Sequence, residues 1–332
     1  MRFFVILGAL ATLAVAQTTP KAPKAKSWSM PRTPDGHPDL QGTWTNATLT
    51  PMERPAQFAS KATISEAEAT AYETSDLKTN DIDDPEAPLL ARAGSGSGPT
   101  AVGGYNNLFI DRGTQLARVD GVKRTALVID PADGKIPMAP TARQGRGGAV
   151  AGYGGDRYNS VKDRPLAERC LVGFGSTSGP PMLPVLYNNT YQIVQTPDYV
   201  MILVEMVHDV RIVRMNQQHA PASVRRWFGD SVGHWDGDTL VVDTTNFNGQ
   251  TRFRGAGENL HVIERFKRMD ANTVLYRATV EDPTIFSKPW TLEYPFNATE
   301  GPVYEYACHE GNYAMPDILG GARRLETEGT KK

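Results

Sequence analysis

Residues 191–214 read YQIVQTPDYVMILVEMVHDVRIVR, and this stretch decides the fold. Two runs rich in Val, Ile, Leu and Tyr, residues 191–196 and 199–205, flank the turn pair Pro197-Asp198. β-Branched and aromatic residues on both sides of a short turn predict two antiparallel strands. A third strand-like run, residues 205–214, follows without a helical period between.

The same pattern recurs along the chain. Asp-Gly pairs favour two-residue hairpin turns, and they separate strand-like runs at Asp120-Gly121 and Asp236-Gly237. Further strand-like runs occupy residues 260–268, 274–280, 290–294 and 303–308. Two segments indicate short helices: residues 65–74, where Ser65 is a candidate cap, and residues 220–228.

Strands joined by short connections, without interleaved helices, predict an all-β antiparallel meander. About ten strands in sequence must protect their edges, and closing into a barrel achieves this. We therefore expect a closed or nearly closed β-barrel with one or two short helices. Two Gly-rich stretches, residues 94–104 and 144–155, are expected to form long loops.

Composition sets the class of protein. The chain has 332 residues, a formal net charge of -2, 40% hydrophobic residues and 22% charged residues. These values exclude a wholly disordered chain, and the absence of a basic excess argues against a nucleic-acid binder. Five Trp and twelve Tyr could supply the walls of a ligand site.

The N-terminus predicts export. Met1-Arg2, an apolar run over residues 3–15 and the end Ala14-Val15-Ala16 are the parts of a secretory signal peptide over residues 1–16. The apolar run is shorter than the roughly 20 residues of a membrane-spanning helix, and a retained anchor is the alternative. We expect a secreted or periplasmic protein with no membrane span after signal removal.

After the signal we expect a flexible linker over residues 17–29, one β-barrel-like domain over residues 30–325 and a disordered tail over residues 326–332. The two cysteines, Cys170 and Cys308, suit a disulfide in an oxidising compartment. The alternatives are two free buried thiols or a Cys308 thiol at a site.

Several catalytic signatures are missing from the sequence: G-x-S-x-G, H-E-x-x-H, CxxC and a G-x-G-x-x-G between strand and helix. What remains is polar residues on apolar strands. Alternation along residues 205–214 places Glu205, Asp209 and Arg211 on one face and His208 and Arg214 on the other. An inward set would form a salt-bridged network, and an outer face with Glu–Arg pairs is the alternative.

A second concentration lies at residues 304–313, YEYACHEGNY. His, Glu and Tyr at a strand end suit general acid/base chemistry, because His and a tuned Glu or Tyr exchange protons near neutral pH. We expect His309 to transfer the proton, oriented by Glu310 or Glu305, with Tyr306 as a hydrogen-bond donor. A structural corner beside the disulfide is the alternative.

A third concentration places His261 and Arg265 on one strand face and Glu264 on the other. We expect no cofactor, although His208, His261 and His309 could converge with Glu205 on a divalent metal. His37, His219 and His234 are interpreted as loop or turn residues.

Two resemblances extend this interpretation. Gly42-Thr43-Trp44 resembles the opening of lipocalin-like (calycin) barrels, and that likeness implies a Trp that closes one end under a late Arg, Arg323 or Arg324 here. The opening PRTPDGHPDLQGTW at residues 31–44 and the block CHEGNY at residues 308–313 resemble a family of exported bacterial proteins of unassigned function. That second resemblance implies export and a single long domain.

Two functions remain open: an exported acid/base enzyme (lyase, isomerase or hydrolase) for a small organic molecule or saccharide, and an exported binding barrel without catalysis. The catalytic candidates are His309, Glu310, Tyr306, His208 and Glu205. The candidates for substrate binding are Arg211, which would hold an anionic group, Tyr304, His261 and Trp235.

Overall fold

The structure is a computed structural model, which describes residues 28–79, 111–140, 142, 158–173, 179–251 and 253–329. The expected signal peptide, most of the expected linker, both Gly-rich stretches and the last three residues lie outside this part of the chain.

Thirteen strands and two α-helices form the described part of the chain. The helices are α1 (Glu66–Thr79) and α2 (Ala314–Gly329). The strands are β1 (Gly42–Thr45), β2 (Thr63–Ile64), β3 (Arg118–Val119), β4 (Val122–Arg124), β5 (Val128–Asp130), β6 (Thr190–Gln195), β7 (Tyr199–Val204), β8 (Val210–Met215), β9 (Asp230–Asp236), β10 (Thr239–Thr245), β11 (His261–Arg268), β12 (Thr273–Glu281) and β13 (Trp290–Ala298).

Nine strands close into a barrel, which confirms the predicted all-β fold. Strands β6 to β13 follow one another around it, and β1 closes it by pairing with both β6 and β13. One neighbouring pair, β8 and β9, is parallel, because residues 216–229 return the chain to the end at which β8 began. Strand β5 adds to β13, and β2, β4 and β3 form a separate small sheet.

The predicted turns hold with one shift of register. Asp120 and Gly121 both have positive φ, as a tight hairpin turn requires, and they join β3 to β4. In the β9–β10 hairpin Asp236 pairs with Thr239, so the two turn residues are Gly237 and Asp238. Helix α1 begins after Ser65, whose Oγ accepts the Glu68 amide while Glu68 accepts the Ser65 amide.

Two predicted elements are wrong. Residues 220–228 form turns, because their backbone makes hydrogen bonds with the residues that follow β10. The Arg226 amide donates to the Asn246 carbonyl at 3.0 Å. Residues 303–308 form no strand, because β13 is already paired with β12, β1 and β5.

Helix α2 was not predicted, because Pro316, Gly320 and Gly321 weaken its helical pattern. It has no buried residues, and it extends through Gly329 into the segment expected to be a disordered tail.

Trp44 belongs to the hydrophobic core of the barrel. Its side chain is buried, and its Nε1 donates to the Leu40 carbonyl at 3.0 Å. The guanidinium above the ring belongs to Arg268, 5.2 Å from the ring centroid, rather than to the expected Arg323 or Arg324. Those two arginines lie on α2, where they pair with Glu326 and Glu328, and Arg323 also donates to the Tyr158 carbonyl.

A series of buried polar side chains, linked by hydrogen bonds, lies inside the barrel, and we call it the polar chain. Arg211 donates two hydrogen bonds to the Glu264 carboxylate at 3.1 and 2.6 Å, and Tyr276 donates to the same carboxylate at 2.8 Å. Tyr276 also accepts the Met182 amide, and Tyr294 donates to the Met182 carbonyl. Of the three residues predicted to face inward in a salt-bridged network, Arg211 does so, and its partner is Glu264 rather than Glu205 or Asp209.

Asn46 completes this chain of contacts. Its Nδ2 donates to the hydroxyls of Tyr191 and Tyr294, at 3.1 Å each. Burial raises the pKa of Tyr191, Tyr276 and Tyr294 well above the ordinary tyrosine value, so all three stay protonated hydrogen-bond donors.

The Arg211–Glu264 pair gives the first testable prediction. We expect Glu264→Leu to lower the free energy of unfolding by about 3–5 kcal/mol, because it leaves the buried Arg211 charge unpaired. The double variant Arg211→Met/Glu264→Leu removes both charges and should recover part of that loss. Urea unfolding of both variants measures the difference, and a double variant less stable than Glu264→Leu would contradict the prediction.

Candidate functional site

Four of the predicted site residues meet at the end of the barrel where β7 turns into β8. Glu205 and His208 belong to the turn itself. Tyr304 and Tyr306 belong to residues 299–308, which lead from β13 past this turn and which we call the crossing segment. The other predicted site residues lie elsewhere, inside the barrel, on its outer face or beyond the disulfide.

The turn between β7 and β8 is strained. Val207 has φ 60° and His208 has φ 47°, and the left-handed region is costly for a β-branched residue such as Val207. The turn interrupts the strand, yet the predicted faces of these residues hold. Glu205 is buried, His208 is exposed, and Arg211 faces inward on β8.

The Glu205 carboxylate is held by backbone amides. Its Oε1 accepts the Tyr304 amide and its Oε2 accepts the Thr190 amide, each at 3.2 Å. The side chain is 4% exposed, and in the described part of the chain no Lys, Arg or His forms an ion pair with it. Glu205 thus ties the crossing segment to β6, and it lines the same cleft as His208.

His208 has a defined tautomer in its neutral form. Its Nδ1 lies 3.1 Å from the Tyr306 carbonyl oxygen. A carbonyl oxygen only accepts hydrogen bonds, so Nδ1 carries the proton and Nε2 carries the lone pair. This arrangement is the one a general base requires.

The Cys170–Cys308 disulfide anchors the crossing segment, which confirms the predicted bond. Tyr306 packs against the barrel core and hydrogen-bonds with Tyr187. Burial, together with the Tyr306 hydroxyl, raises the pKa of Tyr187 to about 12. The segment that orients His208 is therefore fixed by a covalent bond, a phenol pair and the Glu205 carboxylate.

A cleft of about 510 Å³ opens beside this turn, and we call it the His208 cleft. Glu205 and His208 line it together with Thr43, Gln192, Leu203 and residues 301–305. Among these lining residues the charged carboxylates are Glu205 and Glu305, and none is Lys or Arg. The cleft therefore suits an uncharged polar or a cationic molecule rather than an anion.

Arg211 cannot serve the cleft as expected. Its guanidinium is committed to Glu264 in the barrel centre, where its side chain is 2% exposed. Arg211 faces the barrel interior, as the alternation of β8 predicted, and this places it in the core. This placement corrects the predicted contact with an anionic substrate group.

His309 and Glu310 lie on the exposed stretch just past the disulfide. The His309 backbone carbonyl accepts the Asn312 amide at 3.2 Å, so these residues belong to the turn that precedes α2. The sequence predicted two proton-transfer groups: His309 with Glu310 or Glu305, and His208 with Glu205. Of the two histidines, His208 lines a cleft, and its partner Glu205 lines the same cleft.

Trp235 pairs with the buried Leu240 and packs against the barrel core, and it stacks on His37, with ring centroids 4.9 Å apart and planes 5° apart. This stack, with the Arg32–Asp238 ion pair, fastens the opening segment to the β9–β10 hairpin.

His261 belongs to an outer-face cluster that the sequence did not indicate. Its Nε2 lies 3.1 Å from the Asp243 carboxylate, and its Nδ1 lies 3.4 Å from Glu281. His219 lies between Asp243 at 3.0 Å and Asp230 at 3.2 Å. We call these five residues the His219–His261 cluster.

Only the relative register of strands β10, β11 and β12 could have indicated this cluster from the sequence. His261 pairs directly with Glu281, and Asp243 faces outward one strand away. His219 was interpreted as a loop residue, and it does lie in the loop of residues 216–229, where it is one of several contacts that fasten the loop to the barrel.

The cluster changes the protonation of its members. The hydrogen bond to Asp243 raises the pKa of His261 against the opposing effect of burial. Burial alone would raise the pKa of Asp243, but the hydrogen bonds from His261 and His219 hold it below its ordinary value. These contacts favour the protonated form of His261 and the ionised form of Asp243.

The residues named as alternative metal ligands do not come together. His208 borders the His208 cleft, His261 belongs to the outer-face cluster, and His309 is exposed beyond the disulfide. Within the described ranges no three His, Cys, Asp or Glu side chains are arranged to hold a metal ion.

Comparison with protein-family models, with curated proteins and with solved structures finds no match to this chain. Within the described residues no helix has the length and apolar character to cross a membrane.

The His219–His261 cluster predicts how stability depends on pH. The folded-state pKa of His261 is raised above 6.5, so the folded protein binds more protons than the unfolded chain. Its contribution is complete below about pH 6.5 and is lost as the pH rises through the folded-state value. We expect the free energy of unfolding to fall over this alkaline limb.

Urea unfolding at a series of pH values tests this prediction. The His261→Gln variant should show a flatter alkaline limb, because it has no titrating imidazole. The exposed His234→Gln variant is the matched control and should follow the wild-type curve. Identical curves for wild type and His261→Gln would contradict a stabilising role for the protonated ring.

Proposed function

We propose that this chain is an exported enzyme that transfers protons on a small uncharged polar molecule, such as a saccharide, in the His208 cleft. The observation that carries the proposal is the 3.1 Å contact between His208 Nδ1 and the Tyr306 carbonyl. This contact leaves Nε2 of a neutral imidazole free to accept a proton from a bound molecule.

The neighbouring residues supply the rest of the chemistry. His208 takes a proton from the substrate at Nε2, and the resulting imidazolium returns it to another substrate atom or to a leaving group. The Glu205 carboxylate lines the same cleft without pairing directly with the ring, and it favours the positive charge there by long-range attraction during that interval. The exposed Tyr304 and the side chains of Thr43 and Gln192 offer hydrogen bonds to hydroxyl groups.

The charge of the cleft supports the substrate class. Its two carboxylates repel an anionic substrate, and no Lys or Arg among its described lining residues offsets them. A cycle that takes and returns one proton fits a lyase or an isomerase, and it fits a hydrolase in which His208 activates water.

Export is part of the proposal. The signal-like residues 1–16 support it, and the Cys170–Cys308 disulfide is compatible with an oxidising compartment. The resemblance of the PRTPDGHPDLQGTW and CHEGNY blocks to exported bacterial proteins points the same way. The alternative is an exported binding protein that uses the same cleft without turnover.

A substitution at His208 tests the enzyme proposal. Purified residues 17–332 are incubated with a complex extract of plant and microbial metabolites, and mass spectrometry follows each component. We expect one component to disappear in large molar excess over the protein, with a new mass appearing. His208→Gln should lower that rate at least a hundredfold, in line with the 10²- to 10⁴-fold typical of acid/base catalysis.

His309→Gln is the matched control, since His309 is exposed outside the cleft. It should retain the wild-type rate. Depletion that never exceeds the protein concentration would instead establish the binding alternative. Equal loss of turnover in His208→Gln and His309→Gln, with both folded, would overturn the assignment of His208.

A further inference from the structure

A second and larger cavity lies on the other side of the β7–β8 turn, between the barrel mouth, α1 and residues 184–187. Its volume is about 630 Å³, within the range of small-molecule sites. Met206 lines it from the turn that carries Glu205 and His208, and Asp76 lines it from α1. We call it the Met206 cavity.

The walls of the Met206 cavity are mainly apolar. Leucines, methionines, a valine and a proline supply most of the contact surface: Leu49, Met52, Leu127, Pro184, Val185 and Met206. Methionine side chains adapt to irregular shapes and make favourable sulfur contacts with aromatic rings.

The polar groups of the cavity already have partners within the protein. Thr48 Oγ1 donates to the Gln115 carbonyl at 3.0 Å, and Thr50 Oγ1 accepts the Ala117 amide at 2.6 Å. The Tyr187 hydroxyl pairs with Tyr306. A ligand therefore finds few free hydrogen-bonding groups in this wall.

The two charges among the described lining residues also neutralise each other. Arg112 lies 3.5 Å from the Asp76 carboxylate, and both side chains are about a quarter exposed, at 26% and 23%. A charged ligand would lose hydration without gaining an unpaired counter-charge, and that loss is costly. An uncharged apolar ligand avoids this cost and gains from leaving water.

We propose that the Met206 cavity is a binding site for an uncharged, predominantly apolar small molecule, with an aromatic ring as the best-fitting group. This site uses a different set of side chains from the His208 cleft and takes a different class of ligand. The test of this site is therefore independent of the test of the proposed enzyme.

The probe for this proposal is N-phenyl-1-naphthylamine, an uncharged aromatic amine whose fluorescence increases in apolar surroundings. Titration into residues 17–332 should give saturable binding near one molecule per chain. The anionic analogue 8-anilinonaphthalene-1-sulfonate carries a sulfonate and should bind at least tenfold more weakly. Stronger binding of the sulfonate would overturn the ligand class.

Variants locate the probe. Val185→Asp places a carboxylate in the apolar wall and should weaken binding at least tenfold. Leu186→Asp lies at the rim, where the leucine is 53% exposed, and should fold normally while weakening binding severalfold. The second variant keeps the test informative if the first one fails to fold.

Two exposed apolar residues provide matched controls. Leu325 on α2 is 70% exposed and Ile212 on the outer face of β8 is 46% exposed. Leu325→Asp and Ile212→Asp should bind the probe as the wild type does. Wild-type affinity in folded Leu186→Asp and Val185→Asp, or loss of binding in Ile212→Asp, would overturn the proposal.

Discussion

The buried pair of Arg211 and Glu264 is the constraint on which the rest of the structure depends. The two side chains join β8 to β11 across the barrel, and each is almost fully removed from water. Charges in such a place are tolerable only when they are paired and hydrogen-bonded. Tyr276 supplies a further bond to the same carboxylate and, through Met182, links the pair to Tyr294 and Asn46.

A filled barrel leaves ligand chemistry to its ends and outer surfaces. The lipocalin-like hypothesis would place a ligand in the lumen of the barrel. The lumen instead contains the polar chain and the aromatic side chains packed around it. The open spaces described above lie on either side of the β7–β8 turn instead. The strain at Val207 and His208 persists because the disulfide, the Tyr187–Tyr306 pair and Glu205 hold the crossing segment in place.

The sequence predicted the parts of the fold that depend on local pattern. Alternation and turn chemistry were sufficient for the hairpins at Pro197-Asp198 and Asp120-Gly121, because the face and the turn are set by neighbouring residues. They were insufficient for residues 220–228 and 303–308, whose conformations depend on distant partners. The position of Arg211 was predicted as inward, but its partner required the barrel to close.

The candidate site followed the same division. His208 and Glu205 were named from their residue types, yet the tautomer of His208 depends on a carbonyl 98 residues away in sequence. The His219–His261 cluster required the relative register of three strands and a loop, which the spacing of residues along the chain does not contain.

Asn46 has a consequence for the choice of expression host. Asn46-Ala47-Thr48 is an acceptor triplet for N-glycosylation, yet the Asn46 side chain is fully buried between two tyrosine hydroxyls. A eukaryotic secretory pathway meets this triplet before the barrel has closed, and a glycan attached there would occupy the space of the polar chain. A bacterial host, which does not modify the triplet, avoids this competition between sugar transfer and barrel closure.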